Sequence, residues 1–282
     1  MKKRTHHTAE LSEDELHFVT QGDGPTVVLL HGFPATWYSW HEVMTSLSKD
    51  FRVVCPDLRG YNRSGRPVGV SQYSVDKIAT DIVELLDVLG ESRVAVVGHD
   101  WGGALSYHLA AFYPQRFSRL AVLNCPHPSA LTHHLRTNFR QLKRSWYILF
   151  FQLPWLPEYL IRRNIEGFVR SVFRPRAAFS PEELGHYREA LLLPGALTAA
   201  INYYRASGRA ALFDRTGSWP KIECRSLLIW GEKDVALGVE LTEGMERYFE
   251  GPLRKEFLPE AGHWVHSEKP TLVSELLTEF CR

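Results

Sequence analysis

The chain has 282 residues, and its 33 Lys and Arg against 32 Asp and Glu leave a net charge of +1 at pH 7. So even a balance gives no sign of nucleic-acid binding by the whole protein, and 44% apolar with 23% charged residues excludes a disordered chain. The length buries a large core as one domain with an insertion, or as two domains.

Residues 1–13 read as a loose terminus. Leu16-His17-Phe18-Val19-Thr20 alternates and suggests an edge strand, closed by Gly22-Asp23-Gly24-Pro25. Thr26-Val27-Val28-Leu29-Leu30 is a continuous β-branched and apolar run, which suits a strand buried on both faces of a parallel sheet. It ends in His31-Gly32-Phe33-Pro34. A helix follows, then Arg52–Cys55 as the next strand and a long polar loop through Asp57 to Pro67. Ser74 suits the N-cap of a helix whose Ile78, Ile82, Leu85, Leu86 and Leu89 share one face and which Gly90 stops. Val94–Val97 and Leu120–Asn124 are further buried strands, with a helix between them. Strands alternating with helices imply the α/β class, with a mostly parallel sheet flanked by helices on both faces.

The alternation breaks at residue 127. Residues 127–217 contain no strand pattern and are rich in aromatics, among them Trp146, Tyr147, Phe151 and Tyr204. Residues 128–217 hold thirteen Lys and Arg against six Asp and Glu, so this stretch is basic. Such an excess describes either a solvated face or a surface for a membrane or an acidic partner. After Pro220 the α/β pattern resumes, with strands at Leu227–Trp230 and Arg254–Leu258 and a helix over about Pro270–Phe280. The implied organisation is an α/β core in two parts, residues 1–126 and 218–282, interrupted by a helical cap over 127–217. The cysteines at 55, 125, 224 and 281 lack paired spacing and read as reduced thiols. No apolar region follows the basic start, so the expectation is a cytoplasmic protein without a signal peptide. No stretch of 18 apolar residues spans a membrane.

The chemistry centres on Gly98-His99-Asp100-Trp101-Gly102. An apolar strand followed by Gly-x-residue-x-Gly has the spacing of a nucleophile elbow, a strained strand-to-helix turn that exposes one side chain above a sheet. Alone, the pattern equally describes a solvated Asp in a Gly-rich turn. A carboxylate at that position is ionised at neutral pH, needs no base to activate it, and can attack a saturated carbon to form an alkyl ester. In an elbow the oxyanion donors are the N–H after the nucleophile, here Trp101, and one from the loop after an earlier strand, here Phe33. Asp234 and His263 each follow an apolar strand, and the order nucleophile, acid, His completes a catalytic triad. Ligands in open parallel sheets bind at those strand ends.

The chain resembles the α/β-hydrolase superfamily over nearly its full length, and within it the soluble-type epoxide hydrolases. The motifs are His31-Gly32-Phe33-Pro34, Gly98-His99-Asp100-Trp101-Gly102-Gly103, Gly231-Glu232-Lys233-Asp234 and Gly262-His263-Trp264. The resemblance implies the α/β-hydrolase fold with an inserted cap, and conversion of an apolar epoxide to a vicinal diol. It also implies that Tyr147 and Tyr204 are the cap tyrosines that polarise the epoxide oxygen, although Tyr203 adjoins Tyr204. Asp100 would form the ester, His263 would activate water and Asp234 would orient His263. Trp40, Phe33, Trp101 and Phe151 would line the substrate. Neither a metal nor an organic cofactor is required, and the chain would act as a monomer or homodimer. Two alternatives stay open: a haloalkane or haloacetate dehalogenase using the same Asp-His-Asp groups, and a non-catalytic hydrolase-fold receptor.

Overall fold

The computed structural model describes residues 3–213 and 219–282. The cap boundary expected at residue 217 therefore lies outside the described residues. Eight strands form one sheet in the order β1-β2-β4-β3-β5-β6-β7-β8. They are β1 (Thr5–Glu10), β2 (Glu15–Gln21), β3 (Thr26–Leu30), β4 (Arg52–Pro56), β5 (Val94–His99), β6 (Phe117–Leu123), β7 (Arg225–Gly231) and β8 (Leu253–Leu258). β2 pairs antiparallel with β1 and β4; from β4 through β8 all pairings are parallel.

The continuous apolar runs are explained by two cores. In β3, Val27 and Leu29 face one core, packed with Trp40, Met44 and Leu277. Val28 and Leu30 face the other, packed with Ile82 and Leu105. The helices on the first face are α1 (His41–Leu47) and, near the C-terminus, α11 (Val265–Glu268) and α12 (Pro270–Cys281); those on the second are α2 (Val75–Val88) and α3 (Trp101–Phe112). Strands buried on both faces have no polar side to alternate with.

Two expectations are corrected at the N-terminus. Residues 5–10 are not loose: they form β1, whose register runs from Thr5 opposite Thr20 to Glu10 opposite Glu15. Its side chains are exposed except at Ala9, so it carries no apolar periodicity. A polar outermost strand also blunts the unpaired edge of the sheet. The second strand is consequently interior rather than an edge.

Between β6 and β7 lie α4 (Pro128–Thr137), α5 (Phe139–Arg144), α6 (Trp146–Phe150), α7 (Leu156–Arg163), α8 (Ile165–Val172), α9 (Pro181–Leu192) and α10 (Ala196–Phe213). Their inward residues Phe151, Val169, Leu197 and Ile201 join the second core. No described helix is long and apolar enough to cross a membrane.

Candidate active site

Asp100 stands between β5 and α3 with φ 51° and ψ −120°, a left-handed-side conformation that is costly for a residue with a Cβ. The turn fits only because its neighbours are bare. A Cβ on Gly102 would lie 2.1 Å from the Leu30 carbonyl oxygen, and one on Gly32 would lie 2.4 Å from the Asp100 Cβ. The Phe33 N–H donates to Asp100 Oδ1 at 2.8 Å, and the Trp101 N–H also supports the charged carboxylate. Oδ2 lies 3.7 Å from His263 Nε2. Burial raises the Asp100 pKa, against the opposing pull of His263 and these two N–H groups.

Asp234 follows β7 and is buried. Its Oδ2 accepts from His263 Nδ1 at 2.7 Å and from Asn124 Nδ2 at 2.8 Å. Its Oδ1 accepts the N–H groups of Ala236 and Leu237 at 2.8 and 2.9 Å. Burial alone would raise its pKa; the charge and hydrogen bond of His263 and these donors lower it instead. Burial would likewise lower the His263 pKa, but Asp234, and then the Asp100 charge, raise it to about 9. Below about pH 9 the free site thus holds an imidazolium against the Asp234 carboxylate.

Three further groups support the triad, two of them, Asn124 and Glu268, outside any motif. Asn124, just beyond β6 with φ 41°, donates to Asp234 and also accepts the Gly231 N–H at 2.9 Å. Glu268 on α11 accepts the N–H groups of Gly262 and Trp264, the residues flanking His263, at 2.8 and 3.1 Å. His99 Nε2–H donates to the His263 carbonyl at 2.8 Å. The position of Asn124 at a strand end beside the other groups is the one signal the sequence offers for it.

The helical segment covers Asp100 with aromatic rings. Tyr204 on α10 lies edge-on to Phe33 at 5.1 Å and to Trp101 at 5.0 Å, and Tyr147 on α6 lies 5.9 Å from Tyr204 between ring centroids. Burial raises both phenol pKa values, and the Asp100 charge raises them further. Both phenols therefore stay protonated well above neutrality. The neighbouring Trp101 side chain acts on Tyr204 in the opposite sense, lowering its pKa. Tyr203 turns elsewhere: its hydroxyl donates to the Arg59 carbonyl at 2.7 Å. Arg205 ties the segment together, pairing with buried Glu158 at 2.6 Å and donating to the carbonyls of Phe151 and Leu153 at 3.0 and 2.6 Å.

Phe33, Trp101 and Phe151 stand together at this site, joined by Phe168, whose ring lies 6.2 Å from Phe33. Trp40 does not. It is fully buried in the opposite core beside Val43 and Met44 and stacks on His266 at 4.4 Å. The expectation that Trp40 lines the substrate is corrected: it follows β3 closely in sequence, but a short 3₁₀ turn rotates its ring beneath the sheet. Among the described residues, His41, Glu42 and Glu183 bring three potential metal-ligand atoms within 4.8 Å. None of the three belongs to the Asp100 site, and Glu183 spends one carboxylate oxygen capping α9.

The model of the family described as alpha/beta hydrolase fold matches residues 25–270. The AB hydrolase superfamily protein YfhM of Bacillus subtilis is 38% identical over 95% of this chain and 94% of its own length. Human Epoxide hydrolase 4 is 34% identical over 94% of this chain and 75% of its own. The crystal structure of an epoxide hydrolase from Bacillus megaterium in complex with an inhibitor superposes with a TM-score of 0.90 at 29% identity, covering 97% of this chain and 99% of that one.

Proposed function

The chain belongs to the α/β-hydrolase superfamily and, within it, to the epoxide hydrolases; on that premise we propose that it converts an apolar epoxide to a vicinal diol through an ester on Asp100. The observation that carries this reading is the pair of differently held oxygens on Asp100. Oδ1 is fixed by the Phe33 N–H, while Oδ2 faces His263 across 3.7 Å under two protonated phenols.

Asp100 Oδ2 attacks one epoxide carbon and the ring C–O bond breaks. The departing oxygen takes a proton from Tyr204 or Tyr147, so no free alkoxide forms. The new ester retains Oδ1 as its carbonyl oxygen. Esterification removes the Asp100 charge that helps hold the His263 proton, so the imidazole pKa falls, its proton passes to the tyrosinate and restores the phenol, and the neutral ring becomes available as a base. Water then loses a proton to His263 and attacks the ester carbon. The negative charge of the tetrahedral species develops on Oδ1, already facing the Phe33 and Trp101 N–H groups. Collapse releases the diol with Oδ2 and returns Asp100 with one oxygen from water. Asp234 keeps His263 oriented and stabilises its cation. Residues 127–217 act as the cap that brings Tyr147 and Tyr204 over a core of residues 1–126 and 218–282. Phe33, Trp101, Phe151 and Phe168 favour an apolar substrate.

A dehalogenase would use the same carboxylate but needs donors free to take a halide. Two buried phenols held protonated beside Asp100 supply proton donors that a departing epoxide oxygen needs and a halide does not, which favours the epoxide. The deciding experiment presents styrene-type and aliphatic epoxides beside 1-haloalkanes and fluoroacetate, without added metal. Diol formation is expected; halide release without diol would overturn the assignment, and binding without turnover of any of them would mark a receptor. A single turnover in ¹⁸O-water with enzyme in excess should label Asp100 and leave the diol unlabelled. Label in the first-turnover diol would mean that water attacks the epoxide directly.

A further inference from the structure

The helix that turns Tyr147 inward has an unusual outer side. Phe139, Leu142, Trp146 and Leu149 fall at helical spacing along α5 and α6, and Phe139, Trp146 and Leu149 are 80%, 63% and 66% exposed. Trp155, the N-cap of α7, and Tyr159 on that helix are likewise exposed, at 70% and 54%. Single exposed apolar residues are ordinary, but a continuous run of large ones marks an interaction surface. The opposite side of α6 is accounted for, since Tyr147 and Ile148 pack against the core. The outer residues are therefore surplus to folding.

The exposed charge within α5–α7 is of one sign. Between residues 128 and 165 there are six Lys and Arg and one acid, Glu158. Glu158 is buried against Arg205, so the surface of this stretch carries no exposed carboxylate. Arg140 and Lys143 interleave with the apolar stripe and are exposed, as are Arg162 and Arg163 one turn beyond Tyr159. Aromatic and aliphatic side chains bordered by Lys and Arg, on short helices with no acidic residue facing out, match the interface of an anionic bilayer. A protein partner of matching shape would be recognised by specific polar contacts as well, and the exposed polar side chains interleaved with this stripe, Arg140 and Lys143, are both cationic. We propose that the outer face of α5–α7 is a peripheral membrane-binding surface, selective for bilayers containing anionic phospholipid. The aromatic residues enter the headgroup region, and Arg140, Lys143, Arg162 and Arg163 meet the phosphates. This binding does not depend on the reaction proposed for Asp100 and is measured without substrate.

The test is vesicle flotation with the full chain, using phosphatidylcholine alone and phosphatidylcholine mixed with phosphatidylglycerol. The protein should float with the mixed vesicles, remain largely unbound to the neutral ones, and be released as ionic strength rises from about 0.05 M to about 0.5 M. The Arg140→Glu/Lys143→Glu variant should lower partitioning at least about tenfold, as roughly one kcal/mol per basic residue implies about fivefold for each. The Trp146→Ser/Leu149→Ser variant should lose both flotation and any vesicle-induced blue shift of tryptophan emission. Unchanged melting temperatures would establish that both variants remain folded. No flotation at low salt would overturn the proposal, as would flotation that both variants retain. Light scattering that shows a dimer dispersed by Trp146→Ser/Leu149→Ser, with no vesicle binding, would assign the face to a second copy of the chain and equally overturn it.

Discussion

The sheet and the helices above it contribute opposite kinds of group. From the strand ends come acidic side chains held by hydrogen bonds: Asp234 accepts four, and Asp100 Oδ1 is fixed by a backbone N–H. From the helices come neutral phenols, placed by ring contacts and by one buried ion pair, Arg205–Glu158. A charge needs a rigid, preorganised set of donors to be stable away from water. A phenol that only lends a proton needs reach and dryness. The sheet side should therefore be indispensable, and the helical side graded.

The largest expected effect is on the sheet side. Asp100→Asn should abolish ester formation, and His263→Gln should stop the reaction at the ester, visible as a mass increase equal to that of the substrate. Steady-state turnover should fall by on the order of 10⁴ or more in each, as when a nucleophile or base is removed from other triads. An Asp100→Asn protein that retains its activity without reverting to Asp would break the comparison at its root.

Next come the phenols. Tyr204→Phe and Tyr147→Phe should each lower turnover, within the range of about 10²–10⁴ that general acids contribute. Because both serve one oxygen, the double variant should not show the product of the two losses. Wild-type turnover in a folded double variant would reduce the tyrosines to packing residues.

How far each side is legible in the sequence follows the same division. Strands buried on both faces are written as unbroken apolar runs, and the elbow demands glycines for lack of space, so Asp100, Asp234 and His263 stand out at strand ends. Tyr147 and Tyr204 look like their aromatic neighbours, and only family resemblance separates Tyr204 from Tyr203, whose hydroxyl is tied to Arg59. Asn124 and Glu268 are hidden for another reason. Asn124 acts through a hydrogen bond that folding creates between segments 110 residues apart, and Glu268 acts through local bonds to the backbone N–H groups of Gly262 and Trp264, which call for no particular sequence pattern. Trp40 misleads because proximity to His31 in sequence does not say which face of the sheet a ring takes. β1 is invisible because a solvated edge strand needs no apolar residues.

A smaller effect tests whether holding the acid matters as much as having it. Asn124→Gly keeps the backbone free to adopt φ 41° while deleting the side-chain bonds to Asp234 and to the Gly231 backbone. The loss of one hydrogen bond to a charged group, about 1.5–3 kcal/mol, corresponds to roughly 10–100-fold. It should fall on ester hydrolysis, which needs an oriented His263, and spare ester formation. A rapid burst followed by a slowed steady state is expected; an equal slowing of both steps would show that Asn124 acts on the whole fold.

The smallest effect concerns stability and should lie on the sheet side alone. His266, stacked on Trp40 and tilted against His99, is pushed down to about 3 by burial, and His127, at the exit from β6, likewise to about 3. In the unfolded chain such rings titrate near about 6.5. Between those values the unfolded state binds protons that the folded rings refuse, so stability falls as pH falls, by at most about 1.4 kcal/mol per pH unit for each ring. His263 has the opposite sign. Its folded pKa of about 9 adds stability that is complete below the unfolded value and is lost as pH rises through about 9. Together these rings place the maximum near the unfolded histidine value. Melting temperature measured across pH should show both limbs. His266→Phe should flatten the acid limb, since neither ring nitrogen of His266 has a hydrogen-bond partner to lose, and His263→Gln should flatten the alkaline one. Tyr147→Phe/Tyr204→Phe should leave both limbs in place, because phenols with raised pKa values do not titrate in this window. If the tyrosine variant moved either limb, the charge chemistry would not be confined to the sheet.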